Sequence, residues 1–137
     1  MKKVFVDTDV TFDLLSERHP HYQYAAALFF MAKKGQVQLF VSALSIANIY
    51  YFLEKQLPAA KAREAISKLK SLVTIIPVGG STVELALASG FKDFEDALQY
   101  HAAEEQDLDV IITRNIKDYK SARLPVMTAE EFVKQVV

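Results

Sequence analysis

The segment Val4-Phe5-Val6-Asp7-Thr8-Asp9 decides the fold of this chain. Three apolar, β-forming residues follow one another without alternation and end directly at an acid, which is typical of a strand buried on both faces of a sheet. Similar apolar runs occur at 37–41, 73–78 and 110–113. Strands that alternate with helices require crossover connections, so the sequence predicts a three-layer α/β/α fold with a mostly parallel central sheet.

Helical patterns fill the spaces between these runs. A final helix is predicted to begin at Thr128, because Thr128 and Glu131 form the Thr-x-x-Glu signature of a capping box. No repeat or long linker divides the chain, so we expect one domain over residues 1–137. The other helices are predicted at 11–15, 22–34, 42–55, 59–72, 82–89 and 94–106.

Composition excludes several classes of chemistry. The 137 residues are 51% hydrophobic, enough for a core, and carry 17 acidic and 16 basic side chains, which argues against a polybasic coat. With no cysteine and four scattered glycines, the chain can form neither a disulfide, a thiol nucleophile, a cysteine-bound zinc nor a glycine-rich phosphate loop. Only three apolar residues separate Lys3 from Asp7, so we expect no signal peptide. The longest mostly apolar stretch, 24–32, is too short to span a membrane, so we expect a cytoplasmic protein.

The candidate site residues follow the strands, since ligands of open α/β sheets bind beyond the carboxyl ends of the strands. Asp7 follows the first strand, where it either faces this crevice or caps the next helix. Asp9 is expected to cap a helix that begins near Thr11. Polar residues also follow the strand at 110–113, namely Thr113, Arg114, Asn115 and Asp118.

Two helices add further candidates. Asp93 is a predicted N-cap, which places Asp96 at the third helical position, yet three acids crowd into residues 93–96 and repel one another unless a cation lies nearby. Asn48 interrupts an apolar helix, where its amide either bonds a structural neighbour or faces a polar cavity. The second half of the chain is net acidic and the first half net basic.

Carboxylates at strand ends and at a helix start suit a hard cation such as Mg²⁺ or Mn²⁺. The three histidines lie at 19, 21 and 101, with neither the partners of a serine–histidine–aspartate triad nor the spacing of a zinc helix. Such a carboxylate site can orient and activate a water molecule and neutralise a phosphodiester.

These features together resemble the PIN domain, a small metal-dependent ribonuclease fold found in VapC-type toxins of bacterial toxin–antitoxin pairs. The resemblance spans residues 4 to about 132, and it implies hydrolysis of single-stranded RNA, an antitoxin partner and a homodimer. It is carried by the segments Val4–Val10, Val41–Asn48, Asp93–Leu98 and Ile111–Tyr119.

Matched to the family pattern, Asp7 and Asp96 are the expected metal ligands and catalytic acids, and Asn115 and Asp118 are the other expected catalytic residues. Thr113 is expected to help orient bound water or phosphate. Many members have glutamate at Asn48 and asparagine at Asp9, so the resemblance implies that these two residues, together with Asp93 and Thr113, lie on the cation or one contact away from it. Arg114 and Lys55 are the predicted RNA contacts.

Two alternatives stay open. An amide at position 48 removes one negative charge, which leaves room for a weak nuclease or a silent RNA-binding or protein-interaction module. The opening Asp7-Thr8-Asp9-Val10-Thr11 also resembles haloacid-dehalogenase-type phosphohydrolases, in which the first aspartate is a phosphorylated nucleophile. That family needs a later acidic pair and a lysine, whereas the last predicted strand here leads into Thr113-Arg114-Asn115.

Overall fold

The opening apolar run forms β1 (Lys2–Val6), the central strand of a five-stranded sheet in the computed structural model, which describes residues 1–136. Every strand pairs with its neighbours in parallel, which confirms the predicted parallel sheet. From one edge to the other, the strands are β3 (Val73–Ile76), β2 (Val37–Ser42), β1, β4 (Val110–Ile112) and β5 (Val126–Met127).

Helices cover both faces of the sheet. The α-helices are α1 (Thr8–Leu15), α2 (Tyr22–Lys33), α3 (Ala43–Glu54), α4 (Ala59–Lys70), α5 (Gly80–Leu87), α6 (Phe94–Glu105) and α7 (Ala129–Val136), with a short 3-10 helix at Ile116–Tyr119. No helix among the described residues is long and apolar enough to cross a membrane.

The side chains of β1 explain why this strand is apolar without alternation. Val4 and Val6 lie in one core with Leu28 of α2 and Phe132 of α7, whereas Phe5 lies in a second core on the opposite face. Successive residues of a strand point to opposite faces, so a strand covered on both sides needs apolar residues at every position. The three-layer α/β/α prediction is confirmed, while the single domain over 1–137 stays a prediction.

Most predicted ends differ from the structure by one or two residues, as at α5, which was predicted at 82–89 and is Gly80–Leu87. The larger differences are at α1 and β5. Helix α1 begins at Thr8 and not near Thr11, because Asp7 and not Asp9 is its N-cap, with the Asp7 carboxylate accepting a hydrogen bond from the Thr8 backbone N–H. Strand β5 was not predicted, since a strand of two residues at a sheet edge carries no periodic signal. The predicted capping box is present, because Thr128 and Glu131 exchange hydrogen bonds at 2.9 and 3.1 Å.

Sheet order brings the ends of three strands together. Because β2, β1 and β4 are adjacent and parallel, their carboxyl ends lie at one edge of the sheet. Asp7 follows β1, Ser42 ends β2 and Thr113 follows β4. The Asp7 backbone N–H also donates to the Ile112 carbonyl oxygen at 2.9 Å, so the sheet itself fixes where this carboxylate begins.

Candidate active site

Asp7 is the anchor of the site. It is 7% exposed. One carboxylate oxygen accepts hydrogen bonds from the Thr8 backbone N–H at 2.8 Å and from Gln99 Nε2 at 3.3 Å. The other accepts from Thr113 Oγ1 at 2.9 Å and from the Tyr119 hydroxyl at 3.1 Å. Burial raises the pKa of Asp7, and the hydrogen bonds from its four donors oppose this rise. The same four donors hold the carboxylate in one orientation.

Asp9 lies in the first turn of α1 and is half-buried. Its Oδ2 accepts from the Arg114 backbone N–H at 3.1 Å and from Asn115 Nδ2 at 3.2 Å. Its Oδ1 is buried and has no hydrogen-bond partner among residues 1–136. Burial, followed by the negative charge of Asp7, raises the pKa of Asp9 to about 6. A buried oxygen of this kind requires a partner, either a hydrogen-bond donor or a cation.

Asp96 reaches the same region from α6. Asp93 is the N-cap of this helix, since its carboxylate accepts from the backbone N–H groups of Glu95 at 2.8 Å and Asp96 at 3.4 Å. Burial raises the pKa of Asp96 to about 7, and the charges of Asp93, Asp7, Asp118 and Glu95 add to the rise. The predicted position of Asp96 at the third helical residue is confirmed.

One cleft of about 430 Å³ gathers four of the ten expected site residues. Asp7, Asp9, Asp96 and Asn115 all line it. The remaining lining residues are Thr8, Phe12, Arg18, Phe52, Gln56 and Glu95. The cleft therefore has an acidic floor, with one arginine and two aromatic side chains also in its wall.

Asp118 lies elsewhere. It lines a neighbouring cleft of about 370 Å³ together with Asp93, Lys117 and Lys120, and only Asp96 lines both clefts. The charge of Asp118 still contributes to the raised pKa of Asp96. Asp118 therefore lies outside the cleft of Asp7, and its link to that cleft is the effect of its charge on Asp96.

The two predicted RNA contacts differ in whether their charged groups are already paired with a carboxylate. The Arg114 guanidinium is paired with the buried carboxylate of Asp13, with Nε–Oδ2 at 2.8 Å and a second bond from the terminal nitrogen at 3.3 Å. Lys55 is exposed, and its Nζ lies 4.2 Å from the centroid of the Tyr51 ring. RNA contact stays a prediction for both residues, and at Arg114 it is restricted to the guanidinium edge that Asp13 leaves open.

Thr113 and Asn48 each contact an acid of the cleft. Thr113 Oγ1 donates to Asp7 and accepts from the Asn115 backbone N–H at 3.1 Å, which ties the loop after β4 to the anchor of the site. Asn48 is half-buried, and its Nδ2 donates to Glu95 Oε1 at 2.8 Å. The Asn48 amide therefore bonds a neighbour from another helix at the edge of the polar cleft.

Gln99 is a functional candidate that the sequence interpretation missed. It is 1% exposed and lies one turn after Asp96 on α6. Its Nε2 donates to Ser45 Oγ at 2.7 Å and to Thr8 Oγ1 at 3.1 Å, and its Oε1 accepts from the Ser42 hydroxyl. The available signal was its spacing of three residues from Asp96, which places both side chains on one face of the helix.

We expect Gln99→Leu to lower the free energy of unfolding by about 1–3 kcal/mol, because buried hydroxyl groups and the Asp7 carboxylate lose a partner that water cannot replace. Urea unfolding measures this change. Gln23→Leu is the matched control, since Gln23 is an exposed helical glutamine. Equal unfolding midpoints for the two variants would contradict the role given to Gln99.

The side chains of the cleft fit a divalent cation in chemistry. The available donors are carboxylate and amide oxygens, the ligands that hard cations prefer, and Asp9 Oδ1 is buried without a partner among the described residues. Within residues 1–136, however, no three histidine, aspartate or glutamate side chains are already gathered in a metal-holding arrangement. The carboxylates therefore share one cleft, but within residues 1–136 they are not spaced as the ligands of a single ion.

Comparison with known proteins agrees with this fold. Residues 3–117 match the PIN domain family. The chain is 32% identical to Ribonuclease VapC1 from Aquifex aeolicus strain VF5, over 98% of this chain and 95% of that protein. A toxin–antitoxin complex from Klebsiella pneumoniae has a similar fold, with a TM-score of 0.69 and 24% identity over 92% of this chain and 97% of the other. VapBC2 from Rickettsia felis, bound to a DNA fragment from their promoter, gives a TM-score of 0.65 and 15% identity over 91% and 96%.

Proposed function

Because this chain belongs to the PIN domain family and is a homologue of a VapC-type ribonuclease, we propose that it is an endoribonuclease that depends on a divalent cation, Mg²⁺ or Mn²⁺, and cleaves single-stranded RNA. The observation that carries the proposal is the convergence of Asp7, Asp9 and Asp96 in one cleft with raised pKa values and little compensating positive charge. Such a cleft attracts a cation and repels an anionic phosphate that arrives without one.

We assign the cation to Asp7 and Asp96, with Asp9 Oδ1 as a further oxygen donor. A bound divalent cation lowers the pKa of a coordinated water molecule and neutralises charge on a phosphodiester. Thr113, Tyr119 and Gln99 act through Asp7, because their hydrogen bonds keep its carboxylate in one orientation. These three are positioning residues.

The substrate side of the cleft is assigned to Asn115 and to cationic side chains near it. Asn115 Nδ2 bonds Asp9, which keeps its amide at the floor where a phosphate would lie. Lys55 and the free edge of Arg114 are the proposed contacts to RNA phosphates, while Asp118 is proposed to act through its charge on Asp96.

Two protein partners are proposed. An antitoxin is assigned to this chain because toxin–antitoxin complexes have a similar fold, and a second copy of the chain is assigned because a homodimer is what the resemblance to the family implies. The proposed location is the cytoplasm, where RNA is available. Phosphohydrolysis of the haloacid-dehalogenase type is disfavoured, because the chain belongs to the PIN family and, within the described residues, no lysine lines the cleft.

Incubation of the protein with single-stranded RNA tests the function directly. Cleavage is expected with Mn²⁺ or Mg²⁺, to stop in EDTA and to return when the cation is added in excess. Cleavage that continues unchanged in EDTA would refute metal dependence. Binding of RNA that does not depend on the cation and is not followed by hydrolysis would instead support a silent binding module. This module is the second candidate function, because position 48 carries an amide where a carboxylate would bind a cation more strongly.

Cation binding is expected to stabilise the fold more at pH 8 than at pH 5. The pKa values of about 6 for Asp9 and about 7 for Asp96 mean that both carboxyls hold protons at pH 5, so the cation must displace them. At pH 8 and a cation concentration 100 times its Kd, linkage predicts about 2.7 kcal/mol of stabilisation, or roughly 8–10 °C in Tm.

Thermal unfolding with Mn²⁺ at the two pH values measures this difference, with sodium chloride of equal ionic strength as the control. The raised pKa values also determine how the stability of the metal-free protein changes with pH. They stabilise the protonated fold below the ordinary pKa of about 3.8, and that stabilisation is lost as the pH rises through 6 and 7. Equal Mn²⁺ shifts at pH 5 and pH 8 would contradict the assignment of these carboxylates.

A further inference from the structure

Beside the cleft, an amide of α3 holds a carboxylate from another helix. Asn48 Nδ2 donates to Glu95 Oε1 at 2.8 Å, between residues 47 positions apart in the chain. Glu95 lines the cleft that also contains Asp7, Asp9 and Asp96. The hydrogen bond therefore fixes one oxygen of an otherwise free side chain at the border of the acidic floor.

Glu95 and Asp96 approach the cleft in different ways. They are consecutive on α6, and consecutive helical residues project about 100° apart. Glu95 turns toward α3, where Asn48 meets it, yet both carboxylates line one cleft. The Glu95 side chain is longer than that of Asp96, and the hydrogen bond from Asn48 holds it toward α3. Glu95 therefore adds a carboxylate on the α3 side of the cleft, which would otherwise be neutral.

The tie to Asn48 uses only one oxygen of the Glu95 carboxylate. Because Glu95 also lines the cleft, its second oxygen can serve as a ligand of a cation bound there. A purely structural tie between two helices would work equally well with a neutral acceptor in place of the carboxylate.

We propose that Glu95 is a further cation-binding carboxylate of this site and that Asn48 is the residue that positions it, an inference that rests on the proposed metal-dependent function. The chain then supplies through the Asn48–Glu95 pair the negative charge that a carboxylate at position 48 would provide directly. The site gains a donor on α6 while the apolar helix α3 contributes only an amide.

The binding of Mn²⁺ alone, measured by calorimetry on the full chain at pH 8, tests the inference without reference to activity. Glu95→Gln keeps an oxygen that accepts from Asn48, so the tie between the helices survives and only the charge is lost. We expect this variant to weaken Mn²⁺ binding about tenfold or more. Its Tm without metal should equal or slightly exceed that of the wild type, which shows that the fold is intact.

Asp93→Asn is the matched control for charge alone. Asparagine caps helices as well as aspartate does, and Asp93 does not line the cleft of Asp7. This variant removes one charge that acts on Asp96 from a position that the proposal does not place on the cation. We expect it to weaken Mn²⁺ binding no more than about threefold, as a through-space effect in a solvated site.

The double variant Asn48→Glu, Glu95→Gln exchanges the amide and the carboxylate across the same hydrogen bond and leaves the net charge unchanged. We expect it to restore Mn²⁺ affinity to within about threefold of the wild type, since the lost donor returns from the opposite wall. Failure of this exchange to recover affinity in a folded protein would overturn the pairing of the two residues.

A Glu95→Gln variant that binds Mn²⁺ no more weakly than Asp93→Asn would overturn the inference while leaving the proposed function in place, provided that the wild type binds Mn²⁺ and cleaves RNA. Absence of Mn²⁺ binding by the wild type would instead overturn the proposed function, and the inference with it. The two failures are therefore distinguishable in one set of titrations.

Discussion

Asp96→Asn is expected to lower the rate of RNA cleavage about a thousandfold, equivalent to about 4 kcal/mol of transition-state stabilisation, and at the same time to raise the Tm of the metal-free protein at pH 8. The first effect follows from the loss of a proposed cation ligand. The second follows from the pKa of about 7, because burial, followed by the charges of Asp93 and Asp7, disfavours the ionised carboxylate in the folded state.

Single-turnover cleavage and thermal unfolding at pH 8 and pH 4 measure the two effects. The gain in Tm should vanish near pH 4, where the carboxyl of the wild-type protein holds its proton in the folded state. Gln23→Leu again serves as a variant remote from the cleft. A loss of cleavage accompanied by a lower Tm at pH 8 would mean that Asp96 supports the fold and not the cation.

Asp7→Ala is expected to abolish cleavage to a similar extent and also to lower the free energy of unfolding by about 2–4 kcal/mol, because buried donors are left without an acceptor. Thr113, Tyr119 and Gln99 all donate to this carboxylate, and Asp7 also caps α1. The loss of cleavage and the loss of stability have one structural origin, because the same carboxylate lines the cleft and accepts hydrogen bonds from buried donors at the edge of the sheet.

Asp7→Asn separates the two roles. Its amide oxygen can accept from the Thr8 N–H and Gln99, while its NH₂ group donates to the hydroxyls of Thr113 and Tyr119, which are able to accept. We expect stability within about 1 kcal/mol of the wild type but cleavage as low as in Asp7→Ala. Substantial Mn²⁺-dependent cleavage by Asp7→Asn would contradict the assignment of Asp7 as a ligand.

The architecture follows from local features that the sequence displays directly. Unbroken apolar runs such as Val4–Val6 require cover on both faces, and alternation with helices then fixes parallel pairing. Helix ends are predictable only where the capping residues are unambiguous. Thr128 and Glu131 form the predicted capping box, whereas two aspartates, Asp7 and Asp9, compete at the start of α1, and the choice depends on sheet pairing that no local pattern reports.

The candidate site divides in the same way. Asp7, Asp96 and Asn115 could be nominated because strand ends and a helix start place them by topology. Gln99 could not, since a glutamine in a helix usually lies on the surface and its burial here depends on Ser42 and Ser45 from another segment. The bond between Asn48 and Glu95 is invisible in the sequence for a similar reason, because it joins two helices far apart in the chain.

The buried amide of Gln99 has a consequence for how the molecule opens. It joins α6 to the residues that follow β1 and to the end of β2, so the helix that carries Asp96 cannot detach without breaking contacts at the centre of the sheet. Segments tied in this manner exchange their amide hydrogens together with the most protected strands. We therefore expect the amide hydrogens in the first turns of α6 to exchange together with those of β1, so that the acidic cleft is lost only when both unfold.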